Sequence, residues 1–468
     1  MTLMKKLRAL FGAQDMTVGS PMSCLLKFSI PLLIGNLAQQ LYSTVDAIII
    51  GQSAWADQGL AAVGLTMPIL NLLLVLFMGI STGASILSAQ FFGAKDRATL
   101  NKCVGAALFL IVVSGLIMMG AGYFLSPMLV DITSPPSPEV GQGATAYLQI
   151  FFLGIIGNGI YNIVSGILRG LGDSMMPLLF LVIACVLNIF LDMALVDSMG
   201  VAGVALATII AQGVSALLCL WRICHIRHIC DVEMKHILHP DKHLMLKIGA
   251  LGLPSGITQG IFSMSAIVVQ SLTNTLGDAM VAANTAIMRV DGFAMMPNFT
   301  FGTAATTYIG QNVGAGRGDR LKPGVKAMLQ LGLISSTVLV GAILLFGHNI
   351  IGWFTKTELT IQLGVQGLQT LAFGYICFSV TQVLQGTMRG AGETKVPMYI
   401  SIIATVIIRM PLAYLMAYLT RNPQWPNGQP IALFGSLLIS WVLAMLITCL
   451  SYRMKFWRRK LGRLGSEL

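Results

Sequence analysis

Long apolar stretches alternate with short polar segments along almost the whole chain. Twelve of these stretches are long enough for a helix, which rises about 1.5 Å per residue, to cross about 30 Å of hydrocarbon. The pattern predicts an all-α membrane protein. We number the predicted transmembrane helices as segments 1 to 12, at residues 24–50, 60–90, 103–124, 144–167, 177–197, 201–223, 245–273, 279–310, 325–346, 360–387, 397–419 and 431–452.

One polar, glycine-rich motif occurs twice, each time between two apolar stretches. Leu168–Pro177 reads LRGLGDSMMP, and 220 residues later Met388–Pro397 reads MRGAGETKVP. The arginine, both glycines, an acid, a small hydroxyl residue and the proline recur at the same spacing. Such a segment is typical of a short loop at a membrane face, and its recurrence predicts two related halves.

Two further pairs of positions support the internal repeat. Pro31 corresponds to Pro254, and Gln90 corresponds to Gln311. These anchors predict two pseudo-symmetric six-helix bundles of the same topology, an arrangement typical of transporters that alternate access between two lobes. The predicted parts are an N-terminal segment (1–23), an N-lobe (24–223), a linker (224–244), a C-lobe (245–452) and a basic tail (453–468).

Composition agrees with a membrane protein and excludes several other classes. Hydrophobic residues make up 55% of the 468 residues and charged residues only 10%, too few to cover the surface of a soluble protein. No phosphate-cradling GxxxxGK[ST] motif, nucleophile elbow or paired metal-ligand motif is present in the sequence. We therefore expect neither an enzyme nor a bound cofactor, and we expect no removed signal peptide.

The net charge of +11 is better explained by cytoplasmic loops than by nucleic-acid binding. Basic residues concentrate at both ends and in the loops after segments 2, 4, 6, 8 and 10, whereas the alternate loops hold only Lys356 and Arg421. The positive-inside rule therefore predicts a multi-pass protein of the inner or plasma membrane with both termini in the cytoplasm.

Five of the six histidines fall in the central loop together with Cys224 and Cys230. Their spacing matches no zinc pattern, so we interpret this loop as a solvated basic linker and predict no metal site there. The eight cysteines also suggest no disulfide framework, because none lies in a loop predicted to be outside.

Ionisable side chains at bilayer depth are costly and are functional by default. In the N-lobe, Asp46 and Asp192 lie in the outer halves of their segments, and Asn188 precedes Asp192 by one helical turn. Asn162 and Thr208 are further polar groups that the bundle could turn inward. Two acids without a basic partner in the same bundle predict a site for a proton or for Na⁺, the alternative being a hydrogen-bond cluster that only fixes helix packing.

The predicted C-lobe carries charges of both signs. Arg289 and Asp291 lie two residues apart in segment 8, so their side chains point to different sides of the helix. Arg409 in segment 11 is a candidate partner for Asp291 in a structural ion pair, and the other interpretation gives Asp291 a role in binding substrate or ion. The nearby Met295 belongs to a methionine cluster of the kind that suits a pocket accepting several ligands.

The two copies of the glycine-rich motif, the pattern QQLYSTVD in segment 1 and the ending IGQNVGAGRGD of segment 8 resemble the multidrug and toxic compound extrusion (MATE) transporters. The pattern is closest to the bacterial DinF-like branch, and the resemblance covers nearly the whole chain. It implies a fold of two six-helix lobes and export of organic, often cationic, compounds driven by uptake of H⁺ or Na⁺.

The resemblance also implies roles for residues. Asp46 resembles the family's first-helix aspartate, and Asn188 and Asp192 resemble the Asn-x-x-x-Asp of its helix 5, with Thr208 and Asn162 as further members of the cation or proton site. Na⁺ could bind at Asp46, Asp192 and Asn188. Candidates for the substrate cavity are Gln39, Tyr42, Gln259, Arg289, Asp291 and Met295.

The sequence departs from some members of the family in the predicted C-lobe. Where those members place acids for a second sodium site, segment 7 offers Gln259 and Gln270, and segment 10 offers Gln382 and Gln385. A sodium site of that type is therefore not expected here.

The leading hypothesis is a secondary active multidrug exporter that works as a monomer on small, mostly cationic, organic compounds, within membrane lipid and without a nucleic-acid partner. The alternatives are a lipid-linked oligosaccharide flippase of the same superfamily plan, which would need basic residues in its cavity, and a membrane-embedded lipid transferase, for which no catalytic set is present in the sequence.

Overall fold

The structure is a computed structural model that describes residues 13–52, 56–133, 135, 137–423 and 425–454. Within these ranges, the side chains of residues 42, 43, 46, 47, 51, 52, 56–58 and 60 are not described.

The described part of the chain is built from α-helices joined by short loops. The helices are α1 (Pro21–Gln52), α2 (Ala56–Gly93), α3 (Arg97–Ile132), α4 (Pro138–Leu153), α5 (Ile155–Gly170), α6 (Met175–Met199), α7 (Val201–His225), α8 (Met234–Leu238), α9 (Lys242–Asn274), α10 (Asp278–Ala294), α11 (Met296–Gly314), α12 (Leu321–Gly352), α13 (Glu358–Gly390), α14 (Lys395–Ser401), α15 (Met410–Leu419) and α16 (Pro430–Arg453). A 3₁₀ turn at Gly318–Arg320 precedes α12, and a π-helix at Ile402–Arg409 joins α14 to α15.

The apolar spans agree with the predicted membrane fold, but one fewer than the twelve predicted segments qualifies as a membrane span. The described residues contain 10 continuous spans that are long and apolar enough to cross a membrane, and the bent pair α4–α5 is an eleventh. Segment 8, predicted as one helix, is instead the pair α10–α11 and does not qualify by length and composition. Its polar residues, which include Asn284, Asn298 and Gln311, explain the lower hydropathy.

Each interruption of a predicted helix has a local cause. Gly154 separates α4 from α5, which meet at a bend of 53°. Pro297 lies in the first turn of α11, where its missing N–H costs little, so the chain breaks at Met295. Pro411 removes the N–H that an α-helix would donate one turn back, and it lies two residues after the end of the 8-residue π-helix. Pro68, by contrast, lies within the uninterrupted helix α2.

The chain divides into two compact units. The first contains residues 1–18 and 27–256, and the second contains residues 19–26 and 257–468. The boundary at residue 256 falls inside α9. The sequence predicts that the N-lobe ends at residue 223 and that the C-lobe begins at residue 245. These bounds refer to the two parts that would move against each other during transport, and they stay predictions.

Both glycine-rich motifs end their helices in the same way. In the first unit, the N–H of Asp173 donates to the carbonyl of Leu168, and in the second the N–H of Glu393 donates to the carbonyl of Met388. The turn needs a residue with positive φ, which Gly172 supplies at 82° and Gly392 at 89°. The repeat found in the sequence is therefore also a repeat of backbone geometry.

The helices that precede these motifs pack at unusually short range. A Cβ built on Gly386 would lie 2.2 Å from the carbonyl oxygen of Gly302, and one on Gly390 would lie 2.5 Å from that of Thr306. In the first unit, a Cβ on Gly170 would lie 2.5 Å from the carbonyl oxygen of Ser85. Glycine is thus required where α5 crosses α2 and where α13 crosses α11.

Among the described residues, the acids of the two glycine-rich motifs do not form ion pairs with the arginines of the same motifs. Asp173 is fully buried and binds Arg222 at the end of α7, with its Oδ2 at 3.1 Å from Nε and 2.8 Å from Nη2. Burial raises the pKa of Asp173, and the bonds from Arg222 oppose that rise. In the second unit, Oε1 of Glu393 instead accepts from the main-chain N–H groups of Lys395 and Val396, at 3.0 and 3.3 Å.

Candidate ion-coupling and substrate-binding sites

The predicted coupling residues of helix α6 lie in the interior of the first unit. Asn188 and Asp192 are both 0% exposed, although they belong to a strongly apolar helix. Their spacing of four residues places them on one face, one turn apart. A carboxylate and an amide held together away from lipid can bind a proton or a hard monovalent cation.

The two supporting residues of this site bind within their own helices. Oγ1 of Thr208 donates to the carbonyl of Val204 at 2.9 Å. Nδ2 of Asn162 donates to both Oδ1 and the carbonyl oxygen of Asn158, at 2.9 Å each. Asn162 is therefore committed to α5 and not bonded to the Asp192 carboxylate.

Three of the predicted site residues belong to α1, and the side chains of two of them are not described. Asp46 and Tyr42 belong to α1 by their backbone, but their side chains lie outside the described residues. Gln39, one turn earlier, is exposed. The roles predicted for all three stay predictions.

In the second unit, Asp291 of α10 is held by a residue that the sequence did not single out. The hydroxyl of Tyr375, in the middle of α13, donates to Oδ1 of Asp291, and Tyr375 is 0% exposed. Tyrosine is common in apolar helices and normally only fills space, so nothing in the sequence identified this hydrogen bond.

The ion pair predicted between Asp291 and Arg409 is not formed. Nη1 of Arg409 donates to the hydroxyl of Ser265 at 3.2 Å, and its buried Nε has no hydrogen-bond partner. The ion pairs found among the described residues do not include one between these two side chains. The competing donor Tyr375 explains the difference, because it satisfies the carboxylate without a charged partner.

The remaining substrate candidates are scattered over the second unit and its boundary. Arg289 is exposed, and Gln259 and Met295 are partly buried. Met295 ends α10 at the helix break. Their proposed contacts with substrate stay predictions.

A small cavity lies among α9, α13, α14, the π-helix and α16 in the second unit. Its volume of about 20 Å³ gives room for one or two water molecules. Its polar lining consists of Thr381, Gln382, Gln385, Ser401, Thr405 and Ser440. The sequence had marked the two glutamines only as departures from an acidic pattern, and their three-residue spacing on one helix was the available signal for a joint site.

Among the described residues, no group of three or more histidine, cysteine, aspartate or glutamate side chains could hold a metal ion.

The sequence matches the MatE family model twice, over residues 31–194 and 254–415. The two matches begin at Pro31 and Pro254, the prolines that the internal repeat pairs with each other.

Several curated proteins are similar to this chain over most of their length. The probable multidrug resistance protein YoeA of Bacillus subtilis is 29% identical, with 88% of this chain and 91% of the relative covered. The probable multidrug resistance protein NorM of Thermotoga maritima is 26% identical, with 84% and 85% covered. The multidrug export protein MepA of Staphylococcus aureus is 23% identical, with 79% and 82% covered.

Solved structures confirm the predicted fold. A MATE crystal structure in complex with MaL6 has a TM-score of 0.87 at 23% identity, covering 97% of this chain and 99% of the other. The outward-facing conformation of a multidrug resistance MATE transporter of the MOP superfamily gives the same TM-score, identity and coverage. With its repeated family match, its apolar spans and this fold, the chain belongs to the MatE family and is an integral membrane transporter rather than an enzyme.

Proposed function

We propose that this chain is a secondary active multidrug exporter that expels small organic compounds in exchange for H⁺ or Na⁺. The observation that carries the proposal is the fully buried pair Asn188 and Asp192 on one face of an apolar helix. The similarity to proteins named for multidrug resistance or export supports the direction and the substrate class.

The coupling follows from the cost of burying charge. An ionised carboxylate inside a membrane helix is unfavourable by a few kcal/mol, and a bound proton or Na⁺ removes most of that cost. Asp192, with Asn188 as a neutral oxygen ligand and Asp46 as the predicted second acid, would bind the ion on the outer side. For this binding to drive export, ion and drug must differ in their affinity for the two conformations of the transporter.

We also propose an orientation for the chain in the membrane. Both termini lie in the cytoplasm, the protein resides in the plasma membrane, and one chain is sufficient for transport. The asymmetry of basic residues among the loops supports this orientation.

Transport in proteoliposomes tests the proposal directly. The purified protein should drive uptake of a cationic dye when a pH gradient or a Na⁺ gradient is imposed, and applying each gradient alone identifies the coupling ion. Asp192→Asn should lower the gradient-driven rate at least tenfold while the amount of folded protein stays unchanged, because the amide cannot exchange a proton and binds Na⁺ weakly.

Asp197→Asn is the matched control, because Asp197 lies on the same helix but is exposed. It should transport at the wild-type rate. Wild-type transport by Asp192→Asn would contradict the assigned coupling site, and absence of gradient-driven transport in the wild type would contradict the proposed function as a whole.

A further inference from the structure

The segment between α7 and α9, residues 226–241, is attached at both ends to membrane spans, and we call it the connecting segment. Helices α7 and α9 are each long and apolar enough to cross a membrane. Close to the ends that join the segment, α7 exposes Leu217 and Trp221, and α9 exposes Leu246. Exposed apolar side chains on a membrane span suit contact with lipid, and tryptophan is enriched where hydrocarbon meets the headgroups. The connecting segment therefore lies at a membrane surface.

One side of the connecting segment is folded against the first unit. Ile226 is 3% exposed and Cys230 is 0% exposed, and both belong to the hydrophobic core of that unit. Helix α8 packs so closely on α3 that a Cβ built on Gly105 would lie 2.6 Å from Cβ of His236. The sequence predicts a solvated linker here, whereas the structure leaves only one side of the segment open.

The open side of α8 carries an apolar row beside a basic row. Met234 and Leu238, one helical turn apart, are 65% and 66% exposed. Lys235 and His239 each lie one position further along the helix and are also exposed. Adjacent apolar and basic rows are typical of a helix in a membrane interface, with its apolar side chains at the acyl boundary and its cations at the headgroups.

The acids of the connecting segment already have partners within the protein. Asp231 forms an ion pair with Arg97 of α3. Oε2 of Glu233 lies 3.6 Å from Nε2 of His236. Oδ1 of Asp241 accepts from two main-chain N–H groups at the start of α9, at 2.9 and 3.2 Å. These carboxylates are therefore occupied by groups other than the lysines around them.

Four exposed basic residues of this region have no such partner. Among the described residues, no ion pair includes Arg227, Lys235, Lys242 or Lys247. Lys242 and Lys247 lie in the first two turns of α9 and extend the basic row of α8. Because the nearby acids are bound elsewhere, these cations form a positive surface that attracts an anion.

The partner of this surface needs an anionic part for the cations and an apolar part for Met234 and Leu238. A free phosphate lacks the apolar part. The ends of the chain lack the negative charge, since residues 1–12 carry three basic residues and no acid, and residues 455–468 carry five basic residues and one acid. An anionic phospholipid has both parts, and it is at hand because the spans on either side lie in the bilayer.

We propose that α8 and the start of α9 bind the headgroups of anionic phospholipids, with the apolar row of α8 at the acyl boundary. Each lysine or arginine near an anionic membrane surface strengthens such binding severalfold. The bound lipid holds the open side of the connecting segment to the bilayer, while the opposite side stays packed on α3. This inference does not depend on the proposed transport activity, because lipid contacts the folded protein with or without a gradient.

Quenching of a fluorophore by nitroxide-labelled lipids tests the proposal. Cys224 is exposed near the end of α7, beside the connecting segment, and can carry a bimane label. The other cysteines are buried except Cys449, which is partly buried and is replaced by serine in all samples. The full-length protein is reconstituted in phosphatidylcholine vesicles with increasing amounts of doxyl-labelled phosphatidylglycerol or doxyl-labelled phosphatidylcholine. Half-maximal quenching should need about tenfold less of the anionic lipid than of the neutral one.

Two pairs of lysines separate this site from a general effect of net charge. Lys235→Gln with Lys242→Gln should reduce the preference for phosphatidylglycerol to about threefold or less. Lys322→Gln with Lys326→Gln is the matched control, because it removes the same charge from exposed positions at the start of α12. The control should keep the preference of the wild type. Equal loss in both pairs, or no preference in the wild type, would overturn the proposal, and the second result would leave the positive surface to a soluble partner.

The apolar row distinguishes a phospholipid from a free phosphate. Met234→Ser with Leu238→Ser should raise the amount of either lipid needed for half-maximal quenching by about threefold, because the acyl boundary is common to both lipids. Glycerol 3-phosphate in large excess should not relieve quenching by phosphatidylglycerol. Relief by glycerol 3-phosphate, or unchanged quenching in the serine variant, would assign the surface to a free anion and overturn the proposal.

Discussion

At the scale of single residues, the first prediction concerns the hydrogen bond from Tyr375 to Asp291. Tyr375→Phe removes the donor and leaves a largely buried carboxylate with one partner fewer, which should lower the free energy of unfolding by about 1–3 kcal/mol. Thermal unfolding in detergent measures the change. Adding Asp291→Asn should recover part of the loss, because a neutral amide is less costly to bury than a carboxylate.

Tyr399→Phe is the control for this prediction, since Tyr399 is 55% exposed. Its stability should equal that of the wild type within about 0.5 kcal/mol. Equal unfolding temperatures for Tyr375→Phe and Tyr399→Phe would show that the bond to Asp291 contributes nothing.

The ion pair between Asp173 and Arg222 predicts that substitution of its two partners destabilises the protein to different extents. Arg222 is 16% exposed and Asp173 is 0% exposed, so an unpaired arginine could reach water whereas an unpaired carboxylate could not. Arg222→Gln should therefore destabilise the protein by about 3–5 kcal/mol, and Asp173→Asn by clearly less. The yield of folded protein and its unfolding temperature measure both variants. The opposite order would refute the argument from burial.

At the scale of helices, the contact between α11 and α13 depends on glycine. Gly386→Ala would bring a Cβ to 2.2 Å from the carbonyl oxygen of Gly302, so the helices must separate, at a cost of about 1–3 kcal/mol or more. Gly341→Ala, in the interior of α12 with nothing within 4 Å, should instead be neutral or stabilising by up to about 1 kcal/mol. The unfolding temperatures of the two variants are measured in the same detergent. Similar shifts for both would contradict the close approach of α11 and α13.

Helix interruptions show where sequence reasoning reached its limit at this scale. Pro68, Pro297 and Pro411 all lie in apolar runs, yet only Pro297 and Pro411 lie beside an interruption. Proline removes one hydrogen bond wherever it occurs, but neighbouring helices decide whether the helix bends, breaks or stays continuous. The bend at Gly154 had no comparable signal, because glycine is frequent throughout these helices.

At the scale of the whole molecule, two cysteines of the central loop region report on membrane orientation. Cys224 is exposed, whereas Cys230 is buried, which raises the pKa of its thiol to about 12. A membrane-impermeant maleimide should label Cys224 in inside-out vesicles and not in intact cells, if this loop is cytoplasmic as proposed. Cys224→Ser should abolish the labelling.

Cys230 should stay unlabelled in the folded protein up to about pH 9, because burial both shields the thiol and keeps it protonated. It should react once the protein is denatured. Labelling of Cys224 from outside intact cells would reverse the proposed topology.

The sequence alone determined the membrane class, the internal repeat, the positions of nearly all helices and the family. These features depend on hydrophobicity and spacing, which are properties of the chain itself. The prominence of Asn188 and Asp192 also came from the sequence, because a polar residue in an apolar helix stands out wherever the helix packs.

The tertiary structure decided which side chains meet. Asp173 binds Arg222 rather than Arg169, Asp291 binds Tyr375 rather than Arg409, and Gln382 and Gln385 line a common cavity. The sequence could not supply these partners, because each depends on the distance and rotation between helices far apart in the chain. In the membrane interior, packing geometry selects among chemically equivalent partners, and that geometry exists only in the folded molecule.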